Sequence, residues 1–228
     1  MSVPLVSYLI TTHNEGKQIQ DLLRRVLHQS DAHSNEVIVL DDNSTENDTL
    51  EILLRFSKNQ RVKIVNHSLN NHYSDHKNYG NSHCSGKYIF QIDADELPHE
   101  VLLNNLHTIL NANPDVDVFH VPRNNKFIGV TDNDIKTWGW RVNEKGSINW
   151  PDYQSRIYRN IPDRIKWERK LHETIVGMKT YSYLPCNIEL SLYHEKTIEK
   201  QRDDNRRYNE KFSPEDNTRS STTPTLKG

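Results

Sequence analysis

The stretch Tyr88-Ile89-Phe90-Gln91-Ile92-Asp93-Ala94-Asp95 ends a hydrophobic run in a pair of carboxylates. Side chains alternate along an extended backbone, so residues two apart point the same way, about 7 Å apart. Asp93 and Asp95 are therefore expected to face one ligand. A divalent cation relieves the repulsion between two such groups, and oxygen ligands that fill only part of its shell leave room for a phosphate and water. That chemistry suits a nucleotide diphosphate. Taken alone, the pair equally fits a solvated strand end whose aspartates cap the helix that follows.

Working outward, Leu5 to Thr11 is a β-rich run, and Ile19, Leu22, Leu23, Val26 and Leu27 then recur with helical spacing. Glu36 to Leu40 reads as a second buried strand and ends at Asp41-Asp42-Asn43-Ser44-Thr45, where Thr45 with Asp48 resembles a helix-capping start. A helix carrying Leu50, Leu53, Leu54 and Phe56 follows, then a strand from Val62 to Val65 and a polar helix from Ser74 to Cys84, ended by Gly86. Pro98 is expected to open a helix with Leu102, Leu106, Ile109 and Leu110 on one side. Alternating strands and helices predict an α/β fold with a mostly parallel sheet covered by helices, and such sheets bind ligands beyond the carboxyl ends of their strands. The polar clusters Thr12 to Glu15, Asp41 to Ser44 and Asp93 to Glu96 all fall at those ends. From Val116 the alternation becomes irregular, with strand-like Val116 to Val121, Gln154 to Tyr158 and Ile188 to Tyr193. Glu195 to Lys211 reads as a charged helix.

Composition bounds the function. The 228 residues are expected to form one domain over 1–212, divided into a regular half (1–98) and an irregular half (99–212), with 213–228 a disordered tail rich in Ser, Thr and Pro. Lys and Arg number 29 against 31 Asp and Glu, so no general attraction to nucleic acid or anionic lipid is expected, and phosphate binding must be local. Cys84 and Cys186 give neither a disulfide framework nor a cysteine-rich zinc site, which fits a reducing compartment. The start Met1-Ser2-Val3-Pro4 passes directly into a strand pattern, and no window approaches the roughly 18 apolar residues of a membrane span. The expected location is cytoplasmic, the periphery of a membrane included.

Taken together, Leu9-Ile10-Thr11-Thr12-His13-Asn14-Glu15, Val37-Ile38-Val39-Leu40-Asp41-Asp42-Asn43-Ser44-Thr45, Lys77-Asn78-Tyr79-Gly80 and Gly86 to Glu96 resemble, in order and spacing, the family 2 glycosyltransferases. The resemblance implies a GT-A fold, a nucleotide-diphosphate sugar as donor, a divalent metal (Mn2+ or Mg2+), inversion at the anomeric carbon, and a glycan, glycolipid or glycoprotein as acceptor. It places Thr12 and Glu15 in the nucleoside pocket, Asp42 on the base, Lys77 near the donor, Asp93 at the sugar or ribose, and Asp95, with Asp93, at the metal. Thr11 stands where the family commonly has proline and His13 where an aromatic is common, so the fine shape of the nucleoside pocket is open. Trp167 to Glu173 resembles a His-Glu segment of some members, and Leu192 to Lys196 their later histidine segment. From these Glu173 is the candidate catalytic base and His194 a candidate for the metal shell or the diphosphate. Asp152 and His172 compete for the role of base, and an ion pair with Arg169 or another base is the structural alternative for Glu173. For Lys77 that alternative is a solvated helix lysine, and for His194 a histidine bonded at the start of the last helix.

Trp138, Trp140, Trp150 and Tyr153 offer faces for a sugar ring, although core packing accounts for at least two of them. His67, His72, His76 and His83 with Cys84 match no common zinc spacing. A sugar-phosphate nucleotidyltransferase would carry a glycine- and arginine-rich loop where Thr12-His13-Asn14-Glu15-Gly16 stands. A non-catalytic nucleotide-sugar- or glycan-binding relative need not keep both aspartates and Glu173. A glycoside hydrolase would place its carboxylates on opposite sides of the scissile bond.

Overall fold

Alternation along four strands divides the interior into two cores, one on each face of a single sheet. In the computed structural model, which describes residues 3–28 and 35–218, β1 (Val6–Thr12), β2 (Asn35–Asp41), β3 (Val62–Asn66) and β4 (Tyr88–Asp93) run parallel in the order β3-β2-β1-β4. Tyr8, Ile10, Val37, Val39, Phe90 and Ile92 point to one face. There they meet Ile19, Leu22, Leu23 and Val26 of α1 (Gly16–Leu27), Ile52 and Leu53 of α2 (Asn47–Phe56), and Leu102, Leu103, Leu106 and Leu110 of α4 (Glu100–Ala112). Leu9, Ile38, Leu40 and Ile89 point to the other face, against Ile165, Trp167 and Ile175. Each such buried side chain contributes about 1.5–3 kcal/mol.

On that second face lies α3 (Tyr73–Asn81). Gly80 lets it approach: a Cβ there would sit 2.7 Å from Leu9 Cδ1. Gly86 plays a similar part at the entry to β4, where a Cβ would fall 2.6 Å from the Ser7 backbone nitrogen. It does not end the preceding helix, which stops five residues earlier at Asn81.

Beyond β4 the sheet continues as β7 (Ile148–Arg159), β6 (Val118–Ile128), β11 (Leu192–Thr197) and β5 (Glu96–Pro98), with β10 (Tyr181–Tyr183) also pairing with β6. The pairs β4–β7, β7–β6 and β11–β5 are antiparallel. With β11 and β10 both parallel to β6, the sheet is parallel in its first half and mixed in its second. A short hairpin, β8 (Lys166–Glu168) and β9 (Thr174–Val176), sits apart from it, and α5 (Asp132–Trp138) and α6 (Ile198–Lys211) flank the second half.

Several boundaries differ from the sequence reading. Pro98 closes β5, pairing with Leu192, and His99 caps α4 by accepting from Val101 N–H at 3.1 Å. Thr45 does not cap α2; Asn14 Oδ1, reaching across from the first loop, accepts from Thr45 and Glu46 N–H at 2.8 and 3.0 Å. Ile188–Leu190 is a 3-10 turn rather than strand, and Glu195 belongs to β11, so the last helix starts at Ile198. Within the segment expected as a tail from 213, Asp216 pairs with Lys170 at 3.5 Å and Asn217 Oδ1 bonds His172 Nε2 at 3.0 Å. Residues 219–228 lie outside the described residues.

Candidate active site

The carboxyl ends of β1, β2 and β4 open on a cleft of about 1570 Å³, walled on its far side by β6, β7, the β8–β9 loop and α6. That volume exceeds the roughly 300–1,000 Å³ of an ordinary small-molecule pocket. The strand order places it where β1 separates β2 from β4, the switch point at which parallel sheets take ligands. All eight candidate residues, Thr12, Glu15, Asp42, Lys77, Asp93, Asp95, Glu173 and His194, line it.

The first wall is built from turns. Asn14 adopts φ 54° and Asn43 φ 49°, left-handed conformations that asparagine tolerates. Asp41 accepts from Ser44 N–H at 3.1 Å and Ser44 Oγ donates to it at 2.5 Å, locking the loop after β2. Asp42 accepts from Leu69 N–H at 2.7 Å. Glu15 is gripped by Lys200 of α6 at 2.9 and 3.1 Å; burial pushes its carboxyl up, against the lowering effect of that lysine. Thr12 Oγ1 is buried with no hydrogen-bond partner among the described residues. Such a group costs about 1–3 kcal/mol until it finds a ligand.

The two aspartates occupy different surroundings. Asp93 Oδ1 accepts from Thr11 Oγ1 at 2.9 Å and Gln91 Nε2 at 2.8 Å, and its Oδ2 pairs with Arg156 at 2.6 Å. Lys77 Nζ lies 3.9 Å from it. Burial alone would raise the Asp93 carboxyl, but Arg156 and Lys77 overcome it and hold it well below the usual range. Asp95, in the turn after β4, points instead to His194, with Oδ2 and Nε2 3.3 Å apart. Burial again opposes ionisation, and the His194 contact outweighs it, so Asp95 too lies below the ordinary carboxylate range.

That separation suits a shared cation, since two ligands at right angles on an ion about 2.1 Å away lie about 3 Å apart. A carboxylate oxygen with an imidazole nitrogen is an acceptable donor set for Mn2+ and Mg2+. Among the described residues no group of three or more His, Cys, Asp or Glu side chains is placed to hold a metal. Asp95 and His194 could thus supply two ligands of such a shell, and no more among the described residues.

Glu173 comes from the loop between β8 and β9, which α3 clamps. Asn78 donates to Trp167 O at 2.8 Å and accepts from Trp167 N–H at 2.9 Å, while Tyr73 N–H donates to Lys170 O at 2.9 Å. Within the loop Arg169 and His172 take φ 83° and 52°, backbone strain of the kind found at functional sites. So held, Glu173 forms an ion pair with Lys77, not with Arg169. Lys77 is a buried bridge, its ammonium 4.6 Å from the centre of the Trp167 ring. Of the competitors, Asp152 is engaged by Arg123 at 2.7 and 3.0 Å, and His172 bonds Asn217 at 3.0 Å.

Sequence reasoning missed Arg156, Arg123 and Asn125. Arg156 joins Asp93 to Glu96, a residue only 1% exposed, and Arg123 NH1 meets the same Glu96 oxygen at 2.9 Å. A charged residue inside the strand-like run Gln154 to Tyr158 is the available signal: buried in a sheet, it demands an acidic partner. On the acceptor side Trp138 and Trp140 lie 4.6 Å apart and Phe127 4.8 Å from Trp140; with Tyr153 they line the cleft, and Trp150 does not. Of the histidines, His67 and His76 approach at 3.3 Å but gather no third metal ligand among the described residues.

A sheet with this switch point and a cleft walled by turns at its carboxyl end define a GT-A fold. The family model of Glycosyl transferase family 2 matches residues 7–181, and the chain belongs to that family. Residues 1–349 of Staphylococcus aureus TarS, solved in complex with UDP-GlcNAc, superpose with a TM-score of 0.62 at 18% identity, over 84% of this chain and 58% of that one. Poly-beta-1,6-N-acetyl-D-glucosamine synthase of Staphylococcus epidermidis is 33% identical over 90 residues, 40% of this chain and 21% of that protein. Poly(ribitol-phosphate) beta-N-acetylglucosaminyltransferase TarP of S. aureus strain N315 is 30% identical over 104 residues, 45% of this chain and 32% of that protein. The chain thus spans about a fifth to a third of the length of these two relatives. No helix among the described residues is long and apolar enough to cross a membrane.

Proposed function

We propose that the chain is a metal-dependent, inverting glycosyltransferase that moves a sugar from a nucleotide diphosphate to a hydroxyl of a glycan, glycolipid or glycoprotein. The observation that carries this reading is the Asp95–His194 pair at the sheet's carboxyl end, facing the same cleft as Glu173. Both relatives named above are N-acetylglucosamine enzymes by name, which makes UDP-GlcNAc the first donor to test.

In this reading Thr12, Glu15 and Asp42 receive the nucleoside, with Thr12 Oγ1 gaining its missing partner. Asp93, oriented by Arg156, Gln91 and Thr11, contacts the ribose or the transferred sugar. A Mn2+ or Mg2+ held by Asp95 and His194 supplies positive charge to the departing diphosphate when bound. Glu173 takes the proton of the acceptor hydroxyl as its oxygen bonds the anomeric carbon, whose bond to the phosphate oxygen breaks on the opposite face. Lys77 holds Glu173 in place, and α6, through Lys200 on Glu15, helps keep water out. The faces of Trp138, Trp140 and Phe127 receive the acceptor sugar.

A thermal-shift screen with UDP-, GDP- and dTDP-sugars, with and without Mn2+, tests this. Mn2+-dependent stabilisation by a UDP sugar, with slow metal-dependent donor hydrolysis, is expected, and loss of both in Asp95→Ala. An equal response in that variant removes the metal assignment.

A further inference from the structure

Arg123, Asp152, Asn125 and His194 form a chain of hydrogen bonds in which each partner dictates the next. Arg123 carries donors only, and its Nε and NH2 reach Asp152 Oδ2 at 3.0 and 2.7 Å. Asp152 so held is an acceptor, and Asn125 lies 2.9 Å from the same oxygen. The Asn125 atom facing it must therefore be the amide nitrogen. Ile148 O, a second acceptor at 3.5 Å, lies on that side as well. The amide oxygen is thereby turned to His194 Nδ1, 2.7 Å away. An amide oxygen only accepts, so Nδ1 must carry the proton. In the neutral ring the single proton goes to the nitrogen with the shorter bond, Nδ1 at 2.7 Å from Asn125 against Nε2 at 3.3 Å from Asp95, which leaves Nε2 as the lone pair a cation needs.

The backbone explains how these groups meet. β6 pairs with β7 at Arg123↔Asp152 and at Asn125↔Ile148, and with β11 at Asn125↔His194. The single Asn124 thus lies opposite Asn149, Trp150 and Pro151 of a bulged β7, an irregularity of the sort that aims side chains at a site. Asn125 and His194 are both buried, so water does not compete for the bond.

We propose that Asn125, oriented by Arg123 and Asp152, is a positioning residue that sets the His194 tautomer and presents Nε2 to the cation. This rests on the reading of Asp95 and His194 as the cation pair. Outer partners of this kind typically change metal affinity by about 10- to 100-fold.

The test joins two measurements on the full chain. The first is the imidazole nitrogen shifts of His194 by NMR, without metal, at about pH 8, above the ordinary histidine pKa of about 6.5. The second is Mn2+ binding in the presence of UDP, by electron paramagnetic resonance. The wild type is expected to show protonated Nδ1 and bare Nε2. Asn125→Leu should lose that preference and bind Mn2+ about 10- to 100-fold more weakly. Asn125→Asp keeps an acceptor for Nδ1 and should keep the tautomer, whatever the nearby Asp152 carboxylate costs in stability, which guards against a fold defect in the leucine variant. A wild-type ring protonated on Nε2, or an Asn125→Leu protein with wild-type tautomer and affinity, overturns the proposal alone. His194→Ala binding Mn2+ as tightly as wild type overturns the cation pair, and this proposal with it.

Discussion

Replacing Glu173 with Gln separates the two parts its carboxylate can play. Gln has the same size and still offers an oxygen to Lys77, but it cannot take a proton from an acceptor hydroxyl. Removing a general base costs about 10²- to 10⁴-fold in turnover, or about 3–5 kcal/mol of barrier. The fold should lose less. Lys77 keeps Asp93 at 3.9 Å and the Trp167 ring at 4.6 Å, so downgrading one charged contact should cost about 1–3 kcal/mol. Donor binding, which does not use Glu173 in this account, should stay within about threefold. Single-turnover transfer from UDP-GlcNAc, UDP calorimetry and a urea melt read the three quantities. Lys77→Met is the control: it leaves two carboxylates without their ammonium and should cost about 3 kcal/mol or more in stability. Turnover at the wild-type rate in Glu173→Gln would exclude Glu173 as the base and leave it as no more than the counterion of Lys77.

Thr12→Val removes a buried hydroxyl that has no partner among the described residues, so the ligand-free fold should gain about 1–3 kcal/mol in stability while UDP binding weakens about 5- to 10-fold. Unchanged UDP affinity by calorimetry would take Thr12 out of the nucleoside pocket. Arg156→Met strips Asp93 and the buried Glu96 of a shared guanidinium and should destabilise the fold by about 3–5 kcal/mol in urea; a loss under about 1 kcal/mol counts against the network. Burial lowers His76 from 6.5 to about 4, so between those values the unfolded chain binds a proton that the folded chain refuses. Stability is then full above about 6.5 and falls as the pH drops toward 4, by about 1–3 kcal/mol from this residue. His76→Gln should flatten that part of the urea stability profile, and an unchanged slope would contradict it.

The first half of the fold is legible in sequence because its signals are local. Strands β1 to β4 are apolar runs flanked by helical periodicity, and their polar ends fall together simply because parallel strands share one direction. The second half is less so. β5 is three residues whose pairing with β11 is decided far along the chain, and Pro98 carries a helix-start signal that the sheet overrides. For the same reason Thr45 looks like a cap, while its own N–H and that of Glu46 are held by Asn14 from another loop and α2 starts at Asn47. Asp93 and Asp95 are readable as a pair, but not their division of labour. Asp93 is claimed by Arg156 from β7 and Lys77 from α3, and Asp95 by His194 from β11, and only the closed sheet brings those together.

The proposed transfer depends on Asp95 and His194 holding a cation against the donor's diphosphate. Anomalous scattering from crystals grown with Mn2+ and UDP would locate that ion. It is expected bonded to Asp95 Oδ2 and His194 Nε2, with the diphosphate on its open side. Manganese and diphosphate bound elsewhere, with these two side chains still in direct contact, would contradict it.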